Sequence, residues 1–210
     1  MENLEQERLN LIADAHQFYQ LGWMVGTAGN LSAKLSDGSF WITASGKSKG
    51  KLQVEDFLRI SPDGTVLEAP RPDNRPSAET SIHQAIYALF PEARACYHVH
   101  SVEANLASRL VEGDYLPLPS LEMLKGLGVW EENPTIVMPV LENYLQVPRI
   151  AATMRERFSH NPPAIPVLLI RDHGVTVWAD SCEKARNQVE IAEYIFRYLV
   201  AAARCQSISR

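Results

Sequence analysis

The six residues Ala95-Cys96-Tyr97-His98-Val99-His100 constrain the chain more than any others. Side chains alternate faces along a strand, so Ala95, Tyr97 and Val99 give one apolar face and His98 and His100 point together from the other. A segment of this kind predicts a strand with one face in a core and one face open to chemistry. Two imidazoles on one face form two teeth of a metal grip, and a third nitrogen would complete an open zinc site of the catalytic type. His173 is the candidate for the third ligand. It lies in Arg171-Asp172-His173-Gly174, between the apolar runs Val167–Ile170 and Val175–Trp178, where two strands meet at a tight turn. His16 and His83 fall in helical patterns and His160 in a loop, and all three read as structural or solvated. Cys96 shares the face of the two histidines and reads as core packing.

With 210 residues, 46% of them hydrophobic, the chain supports one sizeable core, and the expectation is a single domain over residues 1–210. A net charge of -5 with no broad basic surface argues against a nucleic-acid partner. The Glu-rich start and the lack of a long apolar run argue against a membrane partner. Three cysteines without a Cys-x-x-Cys pair fit a reducing compartment, and a cytoplasmic location is expected.

Helical spacing of Leu4, Leu11, Ile12, Ala15 and Phe18 predicts a first helix over 3–21. Asp37-Gly38 and Pro62-Asp63-Gly64 predict two hairpins. Ser77 is placed as the cap of a helix ended by Pro91, and Ser101 opens another. Residues 111–133 look less regular. A strand is expected over Ile136–Met138, a helix from Pro148 to Phe158, and a last helix from Ser181 to about Ala203. An antiparallel sheet flanked by helices is the simplest architecture.

Ahead of the histidines, Gly26-Thr27-Ala28-Gly29-Asn30 and Ser45-Gly46-Lys47-Ser48-Lys49-Gly50-Lys51 bring backbone N–H groups, hydroxyls, an amide and three cations that suit a phosphate. A P-loop is excluded, because Trp41 stands where it needs glycine. Two carboxylates compete for acid/base work: Glu79, in the first turn after Ser77, and Glu122, a charge inside Leu121-Glu122-Met123-Leu124.

Taken in order, Gly29-Asn30, Thr43-Ala44-Ser45-Gly46, Pro76-Ser77-Ala78-Glu79, His98-Val99-His100 and His173-Gly174 resemble the class II (zinc-dependent) aldolase family across nearly the whole chain. The segments 121–126, 139–143 and 171–178 look most like the family's sugar-phosphate dehydratases. The resemblance implies a three-layer α/β/α fold on a mainly antiparallel central sheet and a homotetramer with sites near subunit contacts. It implies one Zn2+ per subunit on His98, His100 and His173, and a small phosphorylated ketose as substrate. Phosphate would sit among Asn30, Ser45, Gly46 and Ser77, with Lys47 a weaker addition. Family aldolases carry a second serine after the one matching Ser77, where this chain has Ala78. Glu79 matches the aldolase acid/base and Glu122 that of the dehydratases; Glu122 is taken as the acid/base here and Glu79 as a metal-adjacent group. An aldolase or epimerase on another sugar phosphate is the rival reading. A non-catalytic zinc or sugar-binding module is weaker, because a cupin would place its glutamate further from His100 than Glu103 stands.

Overall fold

Alternation along residues 95–99 shapes the whole architecture, because its two faces end in two different cores. Tyr97 and Val99 lie in one buried cluster and Cys96 in the other. A computed structural model describes residues 4–208. In it nine strands form one sheet: β1 (Asn30–Lys34), β2 (Phe40–Thr43), β3 (Phe57–Ile60), β4 (Val66–Glu68), β5 (Ala95–Val99), β6 (Tyr115–Pro117), β7 (Val137–Leu141), β8 (Val167–Ile170) and β9 (Gly174–Ala179). Their order is β4-β3-β2-β1-β5-β9-β8-β7-β6, antiparallel except where β7 meets β8. β5 is thus central, between β1 and β9.

Five helices complete the layers: α1 (Leu4–Gln20), α2 (Thr80–Leu89), α3 (Val102–Ser108), α4 (Val147–His160) and α5 (Cys182–Ile208). One face of the sheet packs Val175 and Val177 against Leu11, Ala15 and Phe18 of α1 and Val189 and Phe196 of α5. The other packs Leu168 and Trp178 against Ile82 and Ile86 of α2 and Met154 and Phe158 of α4. Removing these apolar surfaces from water stabilises the three-layer stack. No described helix is long and apolar enough to cross a membrane.

Both hairpins form where Asp37-Gly38 and Pro62-Asp63-Gly64 mark them. The first helix lies where its spacing predicts, although residue 3 falls outside the described residues. Ser101 caps α3, its hydroxyl accepting the Ala104 N–H at 2.9 Å. Ser77 is a correction: α2 starts at Thr80, and Glu79 holds the cap position. Ile136 also falls outside its strand, which runs from Val137 to Leu141. The irregular stretch contains β6 and a 3-10 segment, Glu122–Leu127, that seals the α5 face with Leu124 and Leu127.

Candidate metal centre

Strand register brings the chemistry together. Asn30 of β1 stands opposite His98 of β5, and His98 stands opposite Thr176 of β9. His98 Nδ1 lies 2.9 Å from the Thr176 hydroxyl, which turns Nε2 outward. There it meets His100 Nε2 at 2.8 Å and His173 Nε2 at 3.4 Å. His173 arrives from the β8–β9 turn, and its Nε2 lies 3.5 Å from Glu79 Oε1. One donor atom from each of Glu79, His98, His100 and His173 lies within 4.8 Å of all the others.

Four ligands held about 2.0–2.2 Å from a tetrahedral ion stand about 3.3–3.6 Å apart. The His98–His173 and His173–Glu79 spacings match that, and the His98–His100 spacing is tighter. Electrostatics favour the same use. Burial, then the neighbouring His100 and His173 rings, push the His98 imidazolium well down, and burial with His173 lowers His100 to about 4. Both rings are therefore neutral at neutral pH, with lone pairs free for a cation. Burial alone would push the Glu79 carboxyl up; the His173 hydrogen bond, the neighbouring His98 ring and the Ser77 hydroxyl outweigh it and hold Glu79 below the usual carboxylate range. Three imidazoles facing one carboxylate are a donor set that fits zinc or another divalent metal.

Two features fix His173. Asp172 occupies the left-handed region at φ 51°, and Arg109 clamps it with Nε–Oδ1 at 2.6 Å and Nη2–Oδ2 at 3.0 Å. Arg171 reaches back to the carbonyls of Ser108 and Val111 at 2.6 and 2.8 Å and to Glu142 at 2.8 Å. Beside it, a Cβ on Gly174 would stand 2.2 Å from the Val99 carbonyl and 3.0 Å from the His100 ring. Gly174→Ala is expected to push β9 off β5, lowering the unfolding midpoint by about 4–8 °C and weakening metal uptake. Calorimetric unfolding and a metal titration check it, and a parent-like midpoint would remove the close-approach argument.

Next to the histidines opens a cleft of about 280 Å³ lined by Asn30, Ser45, Gly46, Ser77, Glu79 and His100. It thus gathers four of the five expected phosphate residues. Lys47 is a correction, because it is drawn to Asp73 at 2.7 Å and Asp56 at 3.7 Å and does not line the cleft. Lys49 lines it instead, buried, with Nζ on the carbonyls of Thr27 (2.7 Å) and Lys47 (3.0 Å). Burial lowers its ammonium to about 8, partly offset by the charge of Glu79, so it remains a cation at neutral pH. Nothing in the alternation of three lysines marks which one is buried.

Glu122 is not among the residues that converge. Its side chain is 82% exposed and paired with Lys125 at 2.6 Å. The adjacent Met123 lines a surface hollow with Trp23, whose carbonyl accepts the His100 N–H at 2.8 Å. His83, read as structural or solvated, lies fully buried and is hydrogen-bonded to Asn30. Its spacing of four residues from Tyr87 on an otherwise apolar helix face is the signal that could have found it.

The profile of the class II aldolase and adducin N-terminal domain family matches residues 10–200. The methylthioribulose-1-phosphate dehydratase of Microcystis aeruginosa is 67% identical over 199 residues, covering 95% of this chain and 97% of its own. The protein of that name from Leptospira biflexa is 43% identical, covering 88% and 92%. Among solved structures, L-fuculose-1-phosphate aldolase from Thermus thermophilus superposes with a TM-score of 0.76 at 23% identity, over 97% of this chain and 99% of that one. With the family profile spanning nearly its whole length and a relative of this identity beside it, the chain belongs to the class II aldolase and adducin N-terminal domain family.

Proposed function

We propose that this chain is a zinc-dependent hydro-lyase that converts 5-methylthioribulose 1-phosphate to 5-methylthio-2,3-dioxopentyl 1-phosphate in methionine salvage. The observation that carries the reading is the cluster of Glu79, His98, His100 and His173 at the edge of a cleft lined by Asn30, Ser45, Gly46 and Ser77. Relatives named methylthioribulose-1-phosphate dehydratase support the choice of substrate. His98, His100 and His173 would hold the metal, with Glu79 beside His173. The metal, when bound, supplies a Lewis acid that polarises the C2 ketone and makes the C3 proton removable.

The remaining work belongs to the chain. Asn30, Ser45, Gly46 and Ser77 grip the phosphate, and the Lys49 ammonium meets its charge where Lys47 is diverted. Holding the C1 phosphate this way would fix where C2 and C3 stand beside the cluster, so losing the grip lowers turnover as well as affinity. Glu122, which stands outside this cleft within one protomer and would serve a neighbour's site, takes the proton from C3 and returns it to the C4 hydroxyl, which leaves as water. The enol that remains tautomerises to the 2,3-diketone. Glu79 is engaged elsewhere in this reading, its carboxylate held by His173, Ser77 and Asn30. The protein is a cytoplasmic homotetramer of single-domain subunits in this reading, with sites near subunit contacts.

A mass-spectrometric assay on methylthioribulose 1-phosphate, paired with metal analysis, tests the proposal. Loss of one water from the substrate in the metal-loaded protein is expected. A second reading, retro-aldol cleavage or epimerisation of another sugar phosphate, is favoured by the placement of Glu79 beside His173. Two fragments, or an isomer, in place of the diketone would establish it. A zinc-loaded protein inert toward every phosphoketose would return the chain to the binding modules.

A further inference from the structure

A buried hydrogen-bonded chain runs away from the metal centre, and its polarity follows from its inner end. Oε2 of Glu79 accepts from the Ser77 hydroxyl and from the group 3.1 Å away, which is therefore the donor Nδ2 of Asn30. The other end of that amide, Oδ1, must then accept, and its partner at 2.5 Å is Nε2 of His83. His83 is fully buried, and burial, only partly offset by the charge of Glu79, lowers it to about 3. The ring is therefore neutral, with a single N–H. Since Nε2 carries it, Nδ1 is the acceptor, and the Ser32 hydroxyl 2.6 Å away donates to it. Ser32 has one hydrogen, so its longer 3.3 Å approach to the Cys96 carbonyl is not the operative bond. A lone pair of Ser32 takes the Tyr87 hydroxyl at 2.7 Å.

Every group in Tyr87→Ser32→His83→Asn30→Glu79 thus has one direction. The chain is no proton wire, because the Asn30 amide cannot pass a proton on. What it can do is orient. An asparagine amide is nearly the same shape after a half turn about its last bond, so packing does not choose between its two ends. Turned over, Asn30 would set its oxygen against the Glu79 carboxylate and its N–H against the His83 N–H. Asn30 also lines the cleft, and its second Nδ2 hydrogen remains for an anion there.

We propose that His83 is a positioning residue: its Nε2–H, backed by Ser32 and Tyr87, sets the Asn30 amide so that Nδ2 faces Glu79 and the phosphate cleft. The inference rests on the phosphate reading of that cleft. A buried histidine that only filled space would need no such partner at its far side.

The test uses the metal-loaded protein and inorganic phosphate as the probe, read by titration calorimetry. His83→Leu should weaken phosphate binding about tenfold and raise KM for the phosphoketose by a similar factor. His83→Gln, which keeps a donor toward Asn30, should recover most of both losses although the two variants unfold at similar temperatures. In the unaltered protein, nitrogen NMR of the ring should find Nε2 protonated and Nδ1 bare. Parent-like phosphate affinity in His83→Leu, a glutamine variant as weak as the leucine one, or a proton on Nδ1 would each overturn the proposal. The ring measurement needs no variant to fold. Neither it nor the calorimetry depends on dehydration, so an enzyme inert toward methylthioribulose 1-phosphate would sink the functional reading and leave this one standing.

Discussion

His98→Ala is expected to abolish metal binding and activity together, with turnover falling about a thousandfold or more. His98 faces both other imidazoles, is fully buried, and is aimed by Thr176, so no neighbour can swing into its place. Lewis-acid stabilisation of a developing charge supplies several kcal/mol, and each 1.36 kcal/mol is a factor of ten in rate. Elemental analysis should find little metal in the variant, and the parent stripped with a chelator should match its residual rate. Retention of one metal per chain with more than a tenth of parental activity would end the three-histidine assignment.

Glu79→Gln and Glu122→Gln should fail in different ways. Losing Glu79 removes the carboxylate beside His173 and the acceptor for Asn30 and Ser77, so metal affinity and turnover should both fall, turnover by about a hundredfold. Losing Glu122 should leave the metal in place and cut turnover about 10²–10⁴-fold, the span of a general acid–base. The Glu79 carboxylate, held below its unfolded value, contributes stability above the ordinary carboxylate range that is lost as the pH falls toward its folded value. Near-normal turnover in metal-loaded Glu122→Gln would take Glu122 out of the reaction and favour Glu79. Because Glu122 is turned outward to Lys125 within the protomer, mixed assemblies of Glu122→Gln and His98→Ala chains carry a further reading. Recovered activity there means that the glutamate serves a neighbour's site.

The strands were legible wherever a local rule decides them. Alternation exposed β5, and the Asp-Gly turns exposed both hairpins. The His173 turn was legible because two apolar runs flank it. What stayed hidden depends on distance in space. Ser77 has the chemistry of a helix cap, yet its hydroxyl goes to the Glu79 carboxylate and the helix starts later. Lys47 and Lys49 differ only in what surrounds them: Asp73 and Asp56 draw out the first, while the carbonyls of Thr27 and Lys47 bury the second. Likewise, His83 in a helical pattern carries no sign that β1 presents Ser32 and Asn30 to its two nitrogens.

The candidate metal donors come from three stretches of chain, the start of α2, the end of β5 and the β8–β9 turn, that meet only when β5 pairs with β9 and α2 packs on the sheet. A disordered polymer therefore has no comparable trap for the ion, and capture must follow assembly of the sheet rather than seed it. By mass action the cation then favours the folded ensemble in proportion to the logarithm of its free concentration. Scarcity of the metal would shorten the lifetime of the polypeptide as well as idle its chemistry.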